Sequence, residues 1–201
     1  MKNRAVVRVF LLNGVLATAL IFALGGCSPE PGSDDQEKLN GLFSRARAYQ
    51  ATGEYNTAII ELKNALKLAP QHAKSRQLLG EIYLAMGYGE AAEKELRSAL
   101  ASGIARNELL LPLGEALLRS GQSSQLLKEI RPNDQLGDRQ QARLYALRGS
   151  ALVYQQEKVA ARDAFVKALE LDPRCSPALL GQAALAMGEA RQATARQLIN
   201  Q

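Results

Sequence analysis

Residues 42–100 read LFSRARAYQATGEYNTAIIELKNALKLAPQHAKSRQLLGEIYLAMGYGEAAEKELRSAL, and within them the same residue types return every 34 positions. Tyr49 and Tyr83 are 34 apart, as are Ala58 and Ala92, Leu62 and Leu96, and Ala65 and Ala99. Gly53, Gly87 and Gly121 carry the register into a third unit, and Gly80 and Gly114 share one position of it. With one inserted residue the frame resumes at Tyr145, Gly149, Ala161, Phe165, Ala168 and Pro173. A fixed period of this length marks stacked supersecondary units, each too small to bury its own apolar face.

Each recurring residue type has a physical reason. Ala46, Gly80, Gly114 and Gly149 stand where the first helix of a unit crosses the second, so a small side chain lets the backbones approach. Ala58, Ala92 and Ala161 do the same on the second helix, while Leu62, Leu96 and Phe165 fill the gap beside them. Gly53, Gly87 and Gly121 end first helices, and Pro70 and Pro173 close their units because proline cannot extend a preceding helix. This pattern resembles the tetratricopeptide repeat, a helix-turn-helix unit of 34 residues. The predicted fold class is therefore all-α, a tetratricopeptide solenoid over residues 38–201.

The frame places units at about 39–72, 73–106, 107–141 and 142–175, with a partial fifth over 176–201. The third departs from the pattern: Pro112 lies inside its first helix, Leu126 replaces the small residue, and Asn133 follows Pro132, which predicts a short or irregular second helix. The fifth is expected to turn into a second helix holding Leu198 and Ile199 and to lack a polar capping helix. That arrangement predicts either the front of a longer repeat protein or an end that docks on a partner.

Composition limits what such an array does. With 201 residues and 47% apolar content the chain has ample material for a core, and with one histidine and two cysteines it has too few ligands for a four-ligand His/Cys zinc site. Three of its 25 basic side chains, Lys2, Arg4 and Arg8, fall in the first 26 residues beside no acid, so the formal charge drops from +5 to +2 beyond them. The basic character is thus largely an address, and no nucleic-acid partner is expected. No cofactor is expected either.

Residues 1–26 have the layout of a secretory signal, a positive start followed by the apolar run from Val9 to Leu24. The apolar run is a little shorter than the roughly 20 residues that span a bilayer. It ends in Leu24-Gly25-Gly26-Cys27, which looks like a bacterial lipobox. That resemblance implies cleavage before Cys27, acylation of the cysteine, and, because Ser28 and not Asp follows it, transport to the outer membrane with the chain facing the periplasm. Residues 27–37 continue as SPEPGSDDQE after the cysteine, a composition without apolar residues that reads as a flexible stalk. Cys175 is left with no disulfide partner.

The lipobox, the acidic stalk, the opening repeats and the unusual third unit LLLPLGEALLRSGQSSQLLKEI together resemble the TPR-repeat lipoprotein of the PEP-CTERM/exosortase system of Gram-negative bacteria. The resemblance covers nearly the whole chain. It implies association with exopolysaccharide production and surface-protein sorting; the molecular activity is not specified by the motif residues.

Stacked first helices line a concave groove, and superposing the units brings Arg47, Glu81, Glu115 and Ser150 to equivalent inward positions. Phe43, Gln77, Leu111, Arg119, Arg143 and Tyr154 adjoin them. The expected partners are proteins or peptides of the cell envelope, held on this mixed surface, with the membrane reached through the lipid anchor at Cys27. The Lys/Asn clamp of chaperone-binding arrays does not fit, since Phe43 and Arg47 stand where it would begin. Two alternatives remain: an assembly lipoprotein for outer-membrane insertion or type IV pilus biogenesis, and a polysaccharide hydrolase. The latter would use Glu81 and Glu115, placed about one helix spacing of 8 to 10 Å apart, against roughly 5 to 9.5 Å for a glycosidase pair. No apolar pocket or aromatic sugar platform accompanies that pair, and a non-enzymatic scaffold is the expected function. His72 reads as a surface residue of an inter-unit loop.

Overall fold

The computed structural model describes residues 33–199; the signal segment 1–26, Cys27 and the first part of the stalk lie outside the described residues. The described residues form nine helices and no strand. These are α1 (Ser33–Ala51), α2 (Tyr55–Leu68), α3 (Ala73–Ala85), α4 (Gly89–Ala101), α5 (Arg106–Arg119), α6 (Ser123–Glu129), α7 (Asp138–Tyr154), α8 (Lys158–Leu171) and α9 (Ser176–Ile199). None of them is long and apolar enough to cross a membrane.

The first eight helices pair as four hairpins, each across a three-residue turn. The turns share one hydrogen-bonding scheme. The backbone N–H groups of Glu54, Tyr88, Gln122 and Glu157 donate to the carbonyls of Tyr49, Tyr83, Leu117 and Leu152 at 2.8 to 3.0 Å, closing the six-residue ring of a Schellman cap. The residue inside that ring must adopt a left-handed conformation, and Gly53, Gly87 and Gly121 do so at φ 79°, 85° and 72°. In the fourth hairpin the position is held by Gln156 at φ 65°, a non-glycine residue doing what glycine does elsewhere.

Small residues bring the paired helices together as the 34-residue frame predicts. A Cβ added to Gly80 would fall 2.7 Å from Leu96 Cγ, and one added to Gly149 would fall 2.5 Å from Phe165 Cε1. Ala46, Ala58, Leu62, Ala92, Leu96, Ala161 and Phe165 are all buried. Gly114 differs, because the side chain of Leu147 from α7 of the next unit occupies the space in front of it. Consecutive odd helices pack on one another, α1 on α3, α3 on α5, α5 on α7 and α7 on α9, whereas the backbones of α2 and α4, and of α4 and α6, stay apart. The odd helices thus form the inner wall of the array.

Three expectations need correcting. The stalk does not extend to residue 37, because α1 begins at Ser33, with Asp34 and Asp35 in its first turn. Acidic residues there complement the positive end of the helix dipole, so a composition that looks unstructured favours a helix start. The same holds for α7, which begins at Asp138, ahead of the expected unit boundary at 142.

The fifth unit, secondly, does not turn. Residue 190 is the next turn position in the frame, 34 beyond Gln156, and α9 runs straight through it as one helix of 24 residues. Alanine is the strongest helix former and gains nothing from a left-handed conformation. His72, thirdly, is half-buried at the start of α3. Its ring stands edge to face with Phe43, 5.6 Å between centroids, and its Nδ1 lies 2.7 Å from the hydroxyl oxygen of fully buried Ser75.

The third unit is irregular as expected. Helix α6 has only seven residues and stops at Glu129, ahead of Pro132, while α5 continues through Pro112. What replaces the missing length is Arg148 of α7, whose Nη1 donates to the carbonyls of Leu127 at 2.7 Å and Ile130 at 2.8 Å. On the outer side Arg97 of α4 bridges Glu93 at 2.8 Å and Glu129 at 3.2 Å, tying α4 to α6. Burial alone would push the Glu129 carboxyl up, but the amide of Gln125 and the charge of Arg97 outweigh it and hold the group below its ordinary range.

Candidate functional site

Because α1, α3, α5 and α7 form the inner wall, side chains on their free face line one trough. Two adjoining hollows make it up. The first, about 370 Å³, lies over α1 and α3 and is lined by Phe43, Arg47, Gln50, Lys74, Gln77 and Glu81, with Leu78 beneath. The second, about 410 Å³, lies over α3 and α5 and is lined by Leu84, Leu111, Pro112, Glu115, Arg119 and Arg143. Glu81 and Glu108 belong to both, so the hollows are continuous.

Eight of the ten residues expected to line the groove therefore meet here: Phe43, Arg47, Gln77, Glu81, Leu111, Glu115, Arg119 and Arg143. The other two lie further along α7 and line neither hollow. Ser150 donates its hydroxyl to the Ala146 carbonyl of its own helix at 3.2 Å, and Tyr154 is 73% exposed at the helix end. Cys27 lies outside the described residues. Lys74 and Glu108 carry no motif of their own. Their signal is a second column in the frame, since Asn40, Lys74, Glu108 and Arg143 occupy one position of successive units once the inserted residue is counted.

The carboxylates are engaged differently. Glu115 pairs with Arg143 at 3.3 Å, Glu81 accepts from the amide of Gln77 at 3.0 Å, and Glu108 has no side-chain partner among the described residues. Glu81 and Glu115 do line one hollow, but one is tied to a guanidinium and the other to a neutral amide. Among the described residues no three His, Cys, Asp or Glu side chains stand close enough to hold a metal ion.

Next to the first hollow, burial and then the charge of Lys74 push the imidazole of His72 below its ordinary value. Cys175 is buried between α8 and α9, away from the trough. A third apolar depression, lined by Arg162, Val166, Leu179 and Leu185, lies between α8 and α9.

Residues 46–103 match a family model described as tetratricopeptide repeat, and residues 142–175 match a second model of the same description. No curated protein matches the chain in sequence. Among solved structures, PilF of Pseudomonas aeruginosa is similar at 24% identity and TM-score 0.61, over 82% of this chain and 74% of that one. MamA of Desulfovibrio magneticus RS-1 is similar at 16% identity and TM-score 0.59, over 81% and 99%. An O-GlcNAc transferase mutant from Thermobaculum terrenum is similar at 22% identity and TM-score 0.56, over 69% of this chain and 27% of that one. At these identities the likeness shows the fold, and the fold suggests a protein-binding scaffold, since tetratricopeptide arrays are in general non-catalytic. The chain carries tetratricopeptide repeats over residues 46–103 and 142–175, and its described residues form a tetratricopeptide solenoid.

Proposed function

We propose that this protein is a non-catalytic scaffold that holds a segment of another protein in the trough between Phe43 and Arg143. The single observation that carries this reading is the continuity of the two hollows along the inner wall. Together they offer a partly apolar floor and charges of both signs that form no ion pair among the described residues, the make-up of a surface that orients a chain without reacting with it. Lipid attachment at Cys27, the outer membrane as location and the periplasm as the facing compartment are part of the proposal. They rest on the Leu24-Gly25-Gly26-Cys27 sequence and the positive, apolar stretch before it. Service to exopolysaccharide export or PEP-CTERM surface-protein sorting rests on the sequence resemblance.

The test is crosslinking in the native host through a photoreactive residue at position 77 or 111, followed by mass spectrometry. Recovery of envelope proteins of polysaccharide export or sorting, lost in an Arg47→Glu/Leu111→Asp variant that keeps its helical circular dichroism, supports the proposal. Recovery of pilus or outer-membrane insertion components would move the protein to the assembly alternative. Palmitate labelling of the wild type and not of Cys27→Ser checks the anchor.

A further inference from the structure

The charges along the trough are ordered, and the order selects a partner. At the α1 end stand Arg47 and Lys74, neither in an ion pair among the described residues. At the junction of the two hollows stand Glu81 and Glu108, neither in an ion pair among the described residues; of the two arginines further along the second hollow, Arg143 is paired with Glu115 and Arg119 stands beyond it. Beneath the junction Leu78 and Leu84 are buried, and Leu111 is half-buried beside Pro112. An apolar floor with carboxylates at its rim suits a group with a hydrocarbon stem and a cationic head, which a lysine or arginine side chain provides. A bare divalent cation is not such a group, and among the described residues no third His, Cys, Asp or Glu joins the two carboxylates to hold one.

We infer that the trough binds an extended protein segment bearing a lysine or arginine seated at Glu81 and Glu108, with an acidic residue about three positions away that meets Arg47 and Lys74. The spacing follows from helix separation. Neighbouring first helices stand about 8 to 10 Å apart, and an extended chain advances about 3.3 Å per residue. The inference rests on the trough being the binding surface and adds which sequence occupies it.

The test uses the full chain in detergent against an array of twelve-residue peptides in which one lysine and one aspartate are moved independently through an otherwise Ser/Ala/Leu background. Binding is then measured by fluorescence anisotropy for the best peptide and for its Lys→norleucine and Asp→Asn forms. The expected result is a maximum at a separation of about three residues, with each neutralised form weaker by roughly tenfold, the scale of one desolvated charge pair. Glu81→Gln/Glu108→Gln should remove the lysine preference and Arg47→Gln/Lys74→Gln the aspartate preference. Glu108→Lys should turn the preference at the junction towards an acidic residue, a gain that misfolding does not produce. Peptides that bind and are blocked by Leu111→Asp, but show no dependence on lysine, overturn the charge inference and leave the trough as the binding surface. If no peptide binds in a Leu111-dependent way, both readings fall.

Discussion

Gly149 and Phe165 meet so closely that a methyl group on the glycine would enter the phenyl ring, at 2.5 Å from Cε1 and 2.7 Å from Cδ1. Phe165 is 1% exposed and is also closed in by Gly181 of α9, so the ring has no free side to move into. Gly149→Ala is therefore expected to destabilise the array by about 1–3 kcal/mol, the range for overpacking a close-packed core. Urea unfolding of Gly149→Ala, Phe165→Leu and the double variant checks it. The smaller leucine should relieve part of the alanine's effect, giving non-additivity that would be absent if the two residues did not touch.

Arg148 answers to the shortness of α6. Its guanidinium donates to two carbonyls that the seven-residue helix leaves without partners, and burial, then the nearby charge of Arg131, lowers its affinity for the proton. Arg148→Met keeps the stem and removes the donors, and the unmet carbonyls should destabilise the protein by about 1–3 kcal/mol. Arg148→Lys should lose less. Hydrogen exchange is the second readout: amides of α6 should lose protection before those of α3 and α4.

The fold was legible in the sequence because repetition multiplies a weak signal. Gly80 alone says little, but Gly80, Gly114 and Gly149 in register with Ala92, Phe165 and the turn glycines specify which helix crosses which. Where one unit departs from its neighbours the register has nothing to compare with. Arg148 looks like one more polar residue on α7, and its role depends on where Leu127 and Ile130 end up in space. The trough was legible to the extent that it repeats, so Arg47, Glu81 and Glu115 were found together. Ser150 and Tyr154 fell out because the hollows close at Arg143. The helical start at Ser33 was hidden since acidity signals both solvated coil and the first turn of a helix.

His72 makes stability depend on pH in a direction fixed by its environment. Burial first and Lys74 second disfavour its charged form, so the folded protein takes up this proton at lower pH than the ordinary value of 6.5 at which the unfolded chain does. Above pH 6.5 both states hold a neutral ring and the residue has no effect. As pH falls below 6.5 the unfolded chain gains a proton that the folded one resists, and stability decreases until the folded ring is protonated as well. Thermal unfolding between pH 7.5 and 5 should show this decline, and His72→Gln should flatten it. An unchanged slope in the variant would assign the decline to other groups.

Gln156 is the turn residue that departs from glycine, and its substitution separates backbone conformation from packing. It is exposed and sits at φ 65°, where a side chain crowds its own carbonyl. Gly53, Gly87 and Gly121 do the same task with open space where a Cβ would stand, so nothing but backbone preference distinguishes the four turns. Gln156→Gly is thus expected to stabilise the fourth hairpin by about 0.5–1 kcal/mol, the relief of the left-handed strain less the greater freedom of glycine in the unfolded chain. The reverse change, Gly87→Gln, should destabilise by a similar amount. If Gln156→Gly were instead destabilising, the glutamine side chain would have to be making a contact that holds the turn, and the equivalence of the four turns would fail.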